Sequence, residues 1–127
     1  MDKHPIYKEP TYLTDKDGNK YWVIGKCLYP EDEDKESSSF YIGWYFKGYL
    51  VHRLDGPAME FANGSKWWFQ NGLYHRLDGP AVEWSNGSVE YWIEGKILSE
   101  EQWLSHPLVK QRMLLDKINR IKEINHE

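Results

Sequence analysis

His52-Arg53-Leu54-Asp55-Gly56-Pro57-Ala58 recurs unchanged as His75-Arg76-Leu77-Asp78-Gly79-Pro80-Ala81, 23 residues further along the chain. The likeness continues past the identical core, with Met59-Glu60-Phe61-Ala62-Asn63-Gly64-Ser65 matching Val82-Glu83-Trp84-Ser85-Asn86-Gly87-Ser88 in type and order. A period of roughly 20–50 residues marks a stacked array, in which each unit buries its apolar face only against its neighbours. A repeated surface is therefore the first expectation, ahead of catalysis.

Outward from the repeat, Ala81-Val82-Glu83-Trp84 alternates apolar and polar residues, and Asn86-Gly87 tolerates the positive φ of a hairpin turn. Val89-Glu90-Tyr91-Trp92-Ile93 is a second strand by its β-branched and aromatic residues, and it ends at Glu94-Gly95. The preceding unit has the same plan: Ala58 to Phe61, a turn at Asn63-Gly64, the strand Lys66-Trp67-Trp68-Phe69 and a turn at Asn71-Gly72. Aligned on the closing glycine, Tyr21-Trp22-Val23-Ile24-Gly25 and Trp44-Tyr45-Phe46-Lys47-Gly48 supply two weaker units upstream, with Asp17-Gly18 as the first hairpin turn.

After Gly95 the period becomes helical. Ser99-Glu100-Glu101-Gln102 has the form of a capping box ahead of a short helix carrying Trp103. Ser105-His106-Pro107 starts a second helix, and Leu108 to Ile124 runs without Gly or Pro. Val109, Met113, Leu114, Ile118, Ile121 and Ile124 fall mostly on one side, which predicts a lid over a sheet face or the open end of the array. A homodimer seam is the alternative. The expected fold is mostly β with C-terminal α: an elongated antiparallel β-hairpin repeat array of about four units, capped by one short and one longer helix. Residues 1–127 read as a single domain, with an N-terminal arm 1–17, hairpin repeats 18–98 interrupted by an acidic loop 30–39, and a helical cap 99–127.

No stretch approaches the 18 or more apolar residues of a membrane span. Met1-Asp2-Lys3-His4-Pro5 has no apolar leader core and Cys27 is the sole cysteine, so a cytoplasmic location is expected, the host cytoplasm if phage-encoded. Seven Trp, nine Tyr and four Phe must supply much of the packing. The net charge of −4 is uneven: Glu31-Asp32-Glu33-Asp34-Lys35-Glu36 is acidic, whereas Lys110, Arg112, Lys117, Arg120 and Lys122 make the C-terminal segment basic. The repeats carry no basic stripe, which argues against general nucleic-acid binding.

Units of this length with an aromatic strand, an Asn-Gly-like turn and a glycine-containing return resemble MORN repeats. The Asp-Gly-Pro-Ala connector is similar to a MORN-like variety of small proteins from bacteriophages and large DNA viruses. The resemblance covers residues 18–98 and departs from ordinary MORN repeats in the Arg-Leu-Asp inserted before Gly-Pro. It implies a hairpin array and a bias toward binding proteins or membranes, and it implies no chemistry.

His52, Asp55, His75 and Asp78 invite a metal or acid–base reading, but a zinc site wants three or four convergent ligands. The turn reading is stronger: Asp55 and Asp78 accept from backbone N–H groups, Gly56 and Gly79 admit the bend, and Pro57 and Pro80 fix φ. Arg53 and Arg76 then pair with an Asp and line a ridge for a partner. Adjacent rings in a strand point to opposite faces. Trp44, Trp68 and Tyr91 are accordingly expected on one face and Tyr45, Phe69 and Trp92 on the other, one set buried and the other open as partner-binding anchors. Cys27 lies beside the first turn with no His or Asp nucleophile arrangement near it in the sequence, which argues against a catalytic thiol, and no phosphate loop, Gly-x-Ser-x-Gly elbow, His-Glu-x-x-His or Cys-x-x-Cys motif is present. The expectation is a non-enzymatic protein-interaction module without metal or cofactor, a small phage or virus accessory protein that binds a host or viral protein. Glycan or quaternary-ammonium binding by aromatic hairpins is the alternative.

Overall fold

The computed structural model describes residues 3–30, 38–40 and 43–125. Strands β1 (Tyr7–Thr14) and β2 (Lys20–Gly25) form an antiparallel hairpin, with Leu13 opposite Tyr21 and Tyr12 opposite Trp22. The turn is held by the Asp15 carboxylate, which accepts from the N–H groups of Asp17 and Asn19. The stretch expected to be an N-terminal arm therefore carries a paired strand. Its Tyr, Thr and Leu residues suit a half-buried strand, and Leu13 packs on the core.

Strands β3 (Ser38–Phe40), β4 (Gly43–Phe46) and β5 (Tyr49–Val51) follow as a meander. The expected acidic loop thus gives its last two residues to a strand, while residues 31–37 lie outside the described residues. The chain continues through β6 (Met59–Glu60), β7 (Lys66–Trp67), β8 (Phe69–Gln70), β9 (Leu73–Tyr74), β10 (Val82–Glu83), β11 (Val89–Ile93) and β12 (Lys96–Leu98). Every pairing among the described residues is antiparallel. The sheet runs β12-β11-β10-β7-β6-β2-β5-β4-β3, β1 adds to β2, and β8 pairs with β9 separately.

Trp68 explains the short strands. Its N–H donates to the Ala81 carbonyl at 2.7 Å and its carbonyl accepts from the His75 N–H at 3.1 Å, so the chain changes partner at that residue. Trp22 makes the same pair of bonds, to Ala58 at 2.7 Å and from His52 at 2.9 Å. Each end of a connector is thereby tied to the backbone of one tryptophan.

The core joins Tyr21, Val23, Phe46, Tyr49, Val51, Ala58, Met59 and Phe69, with Tyr21 stacked on Phe46 at 3.9 Å between ring centroids. A second, smaller cluster of Ile93, Trp103 and Val109 packs the C-terminal end. Helix α1 (Glu100–Leu104) starts with the expected capping box at Ser99 and Gln102. Helix α2 (Pro107–Ile124) is capped by His106, whose Nδ1 accepts from the Leu108 N–H. Neither helix is long and apolar enough to cross a membrane.

The expected lid is not what α2 forms. Val109 is its one buried residue, and Met113, Leu114, Leu115, Ile118, Ile121 and Ile124 are exposed. Trp103 of α1 already packs on Tyr91 at 5.0 Å and donates from Nε1 to the Arg76 carbonyl. The end of the sheet is closed before α2 has run two turns.

Candidate interaction groove between the two connectors

Each connector is held by three of its own residues. His52 Nδ1 accepts from the Asn71 N–H at 2.9 Å, and His75 Nδ1 accepts from the Glu94 N–H at 3.0 Å. Asn71 and Glu94 sit at φ of 51° and 50°, each just before a turn glycine, so each imidazole anchors the next tight turn. Burial pushes the pKa of both imidazoles below the ordinary value, and this keeps Nδ1 free to accept.

The Arg53 guanidinium lies 3.8 Å above the Trp22 ring, donates from Nε to Asp55 Oδ1 at 2.9 Å and from Nη1 to the Pro57 carbonyl at 3.0 Å. Arg76 repeats this on Trp68 at 3.8 Å, with Asp78 at 2.8 Å and the Pro80 carbonyl at 3.0 Å. The same arginine–tryptophan stack therefore forms twice, although each tryptophan comes from outside the repeated heptapeptide. A β-carbon on Gly56 would stand 2.8 Å from Arg53 Cζ, and one on Gly79 would stand 2.7 Å from Arg76 Cζ. Neither glycine has a positive φ. The expectation that they serve to admit the bend gains a steric reason, since each guanidinium lies between an indole and the glycine.

Between the connectors lies a groove of about 310 Å³, lined by Arg53, Leu54 and Asp55 on one side, Arg76 and Asp78 on the other, with Trp68 among its walls. Arg112 of α2 closes one end, 3.7 Å from Asp78 and bonded to Asp116 at 3.1 Å. Leu54 stands 69% exposed at the rim. Arg53 holds the Asp55 carboxyl below the usual carboxylate range, so it stays charged. Arg53 and Arg76 both line the groove, and each keeps 18% of its side chain exposed. The groove offers held cations, carboxylates and two leucines, the exposed Leu54 and the half-buried Leu77, and among the described residues its lining has no Ser, Thr or Cys beside His75.

The expected division of the aromatic rings into two faces is not seen. Trp44 packs on Phe69 at 6.2 Å and on Tyr74 at 6.2 Å, although Trp44 and Phe69 were assigned to opposite faces. Tyr45 and Phe69 are buried, and Tyr91 packs on Trp103, Trp92 on Tyr74 at 4.7 Å and Trp68 under Arg76. Trp68 occupies the slot of Trp22, not that of Trp44, because the strand changes partners at Trp68 and the glycine alignment slips by one residue. Leu54 and Arg112 are the site residues that sequence reasoning missed. A leucine flanked by Arg and Asp in a tight connector was the available signal for the first, and α2 reaches the second only in space.

Among the described residues, no three His, Cys, Asp or Glu side chains group as a metal site requires. The comparisons with family models, curated proteins and solved structures find no match to this chain.

Proposed function

We propose that the chain is a non-enzymatic protein-interaction module built on about four MORN-like hairpin units. In this reading it is a small phage or virus accessory protein that binds or inhibits a host or viral protein. The observation that carries it is the groove between the two connectors, where the exposed Leu54 shares the lining with the held guanidiniums of Arg53 and Arg76. Interface energy concentrates in a few anchors, Arg prominent among them, and pre-positioned side chains lose less entropy on binding. The fitting partner surface is an apolar recess flanked by carboxylates. Caging of a quaternary ammonium is less well supported, because the indole faces of Trp22 and Trp68 already carry the chain's own guanidiniums.

The test is capture of the partner from host lysate, followed by titration calorimetry with Leu54→Asp and Arg112→Glu. Each substitution is expected to weaken the complex by about 2 kcal/mol while the thermal midpoint stays put. Full affinity in both variants would place the contact elsewhere on the molecule.

A further inference from the structure

Beyond Arg112, helix α2 presents Leu114, Leu115, Ile118, Ile121 and Ile124 between 41% and 74% exposed. Leu114, Ile118 and Ile121 follow i, i+4, i+7 spacing and form one narrow stripe. Lys110 and Lys117 border it on one side and Lys122 on the other, by helical geometry. The helix acids, Asp116 and Glu123, fall away from the stripe, and Asp116 is engaged by Arg112. At the foot of the stripe, where α1 meets α2, an open hollow of about 550 Å³ is lined by Glu100, Glu101, Leu104, Ser105 and Lys110. Leu104 is 46% exposed there.

The two ends of this surface complement each other. One end is a hollow with an apolar side chain and two carboxylates, and the other is an apolar helix turn bearing Lys122. We infer that the surface takes a second copy of this chain, with the two α2 helices antiparallel about a two-fold axis near Leu114. Ile121, Ile124 and Lys122 of each copy then seat in the other copy's hollow beside Glu100 and Glu101, as an isologous interface requires. Lys110 in the hollow meets the C-terminal carbonyls of the incoming helix, which carry partial negative charge. A lipid surface fits less well. An interfacial helix needs a broad apolar face, whereas lysines confine this stripe and Glu100 and Glu101 would be repelled by anionic headgroups.

Sedimentation equilibrium on the full chain is the experiment, with melts to confirm folding. The chain should dimerise, Ile118→Asp should leave it monomeric with an intact fold, and Lys122→Glu should weaken the dimer about tenfold. Glu100→Lys with Glu101→Lys should weaken it similarly, and Glu101→Lys alone serves if the double substitution lowers the melt. Mixing the Lys122 variant with the Glu100/Glu101 variant should restore dimers, because each site then pairs opposite charges. A chain that stays monomeric up to about 100 μM, whether or not it binds vesicles of anionic lipid, overturns the inference. So does a mixture that fails to recover.

Discussion

A β-carbon added to Gly79 would meet Arg76 Cζ at 2.7 Å, and the guanidinium could yield only by giving up its place on Trp68 and its bonds to Asp78 and the Pro80 carbonyl. Gly79→Ala is therefore expected to cost about 1–3 kcal/mol, and distinctly less in an Arg76→Ala background, where the guanidinium is gone. Chemical denaturation of the four proteins in that cycle reads the coupling directly. His52 and His75 carry a second residue-scale expectation. Their pKa values lie below 6.5 in the fold, so the unfolded chain takes up protons first as the pH drops. Stability is full above pH 6.5 and declines as the pH falls toward the depressed folded values. Thermal midpoints across that window should fall in the native chain and flatten when both residues are changed to Gln. Trp67 adds a third: its Nε1 is buried without a partner among the described residues. Trp67→Phe then removes an unsatisfied donor, and a stability loss approaching that of Trp67→Ala would show the indole nitrogen to be satisfied after all.

Elements that rest on turn and cap chemistry were readable from sequence. Gly18, Gly64 and Gly87 take positive φ at the expected hairpin turns, and the Ser99–Gln102 box forms as its spacing requires. The strand at Tyr7–Thr14 lies outside the repeat and so has no second copy to mark it, and nothing local in Trp67-Trp68-Phe69 marks the change of partner at Trp68. The second helix was legible as a helix but not in its packing, because an apolar stripe gives the same pattern whether it covers a sheet or faces solvent. Val109 is buried and Ile118 exposed on one helix, which sets a sharp contrast. Val109→Asp should cost about 3 kcal/mol or more. Ile118→Asp should change the melt by no more than about 0.5 kcal/mol at concentrations where the chain is monomeric. Comparable losses would mean that α2 does lie on the sheet along its whole length.

At the scale of the molecule, two apolar clusters stand among the described residues, and Trp103 belongs to the smaller one. Trp103→Ala should open the C-terminal end first, so that amide exchange rises through Tyr91–Leu98 while Tyr21, Val23 and Val51 stay protected. Uniform loss of protection would make the two clusters one cooperative unit. The repeated connector by itself determined that the same arginine clasp is built twice, because Arg, Asp and the Pro carbonyl act within a few residues of one another, whereas the tryptophan under each guanidinium and the turn held by each imidazole come from outside the heptapeptide. Tertiary structure alone decided what each copy presents. Leu54 and Leu77 occupy the same place in identical heptapeptides, yet Leu54 stands 69% exposed and Leu77 is half-buried against the Ile93–Trp103–Val109 cluster. Local bonding follows from neighbours in the chain, whereas exposure follows from which element comes to rest alongside, and only one of the two connectors lies beside the helices.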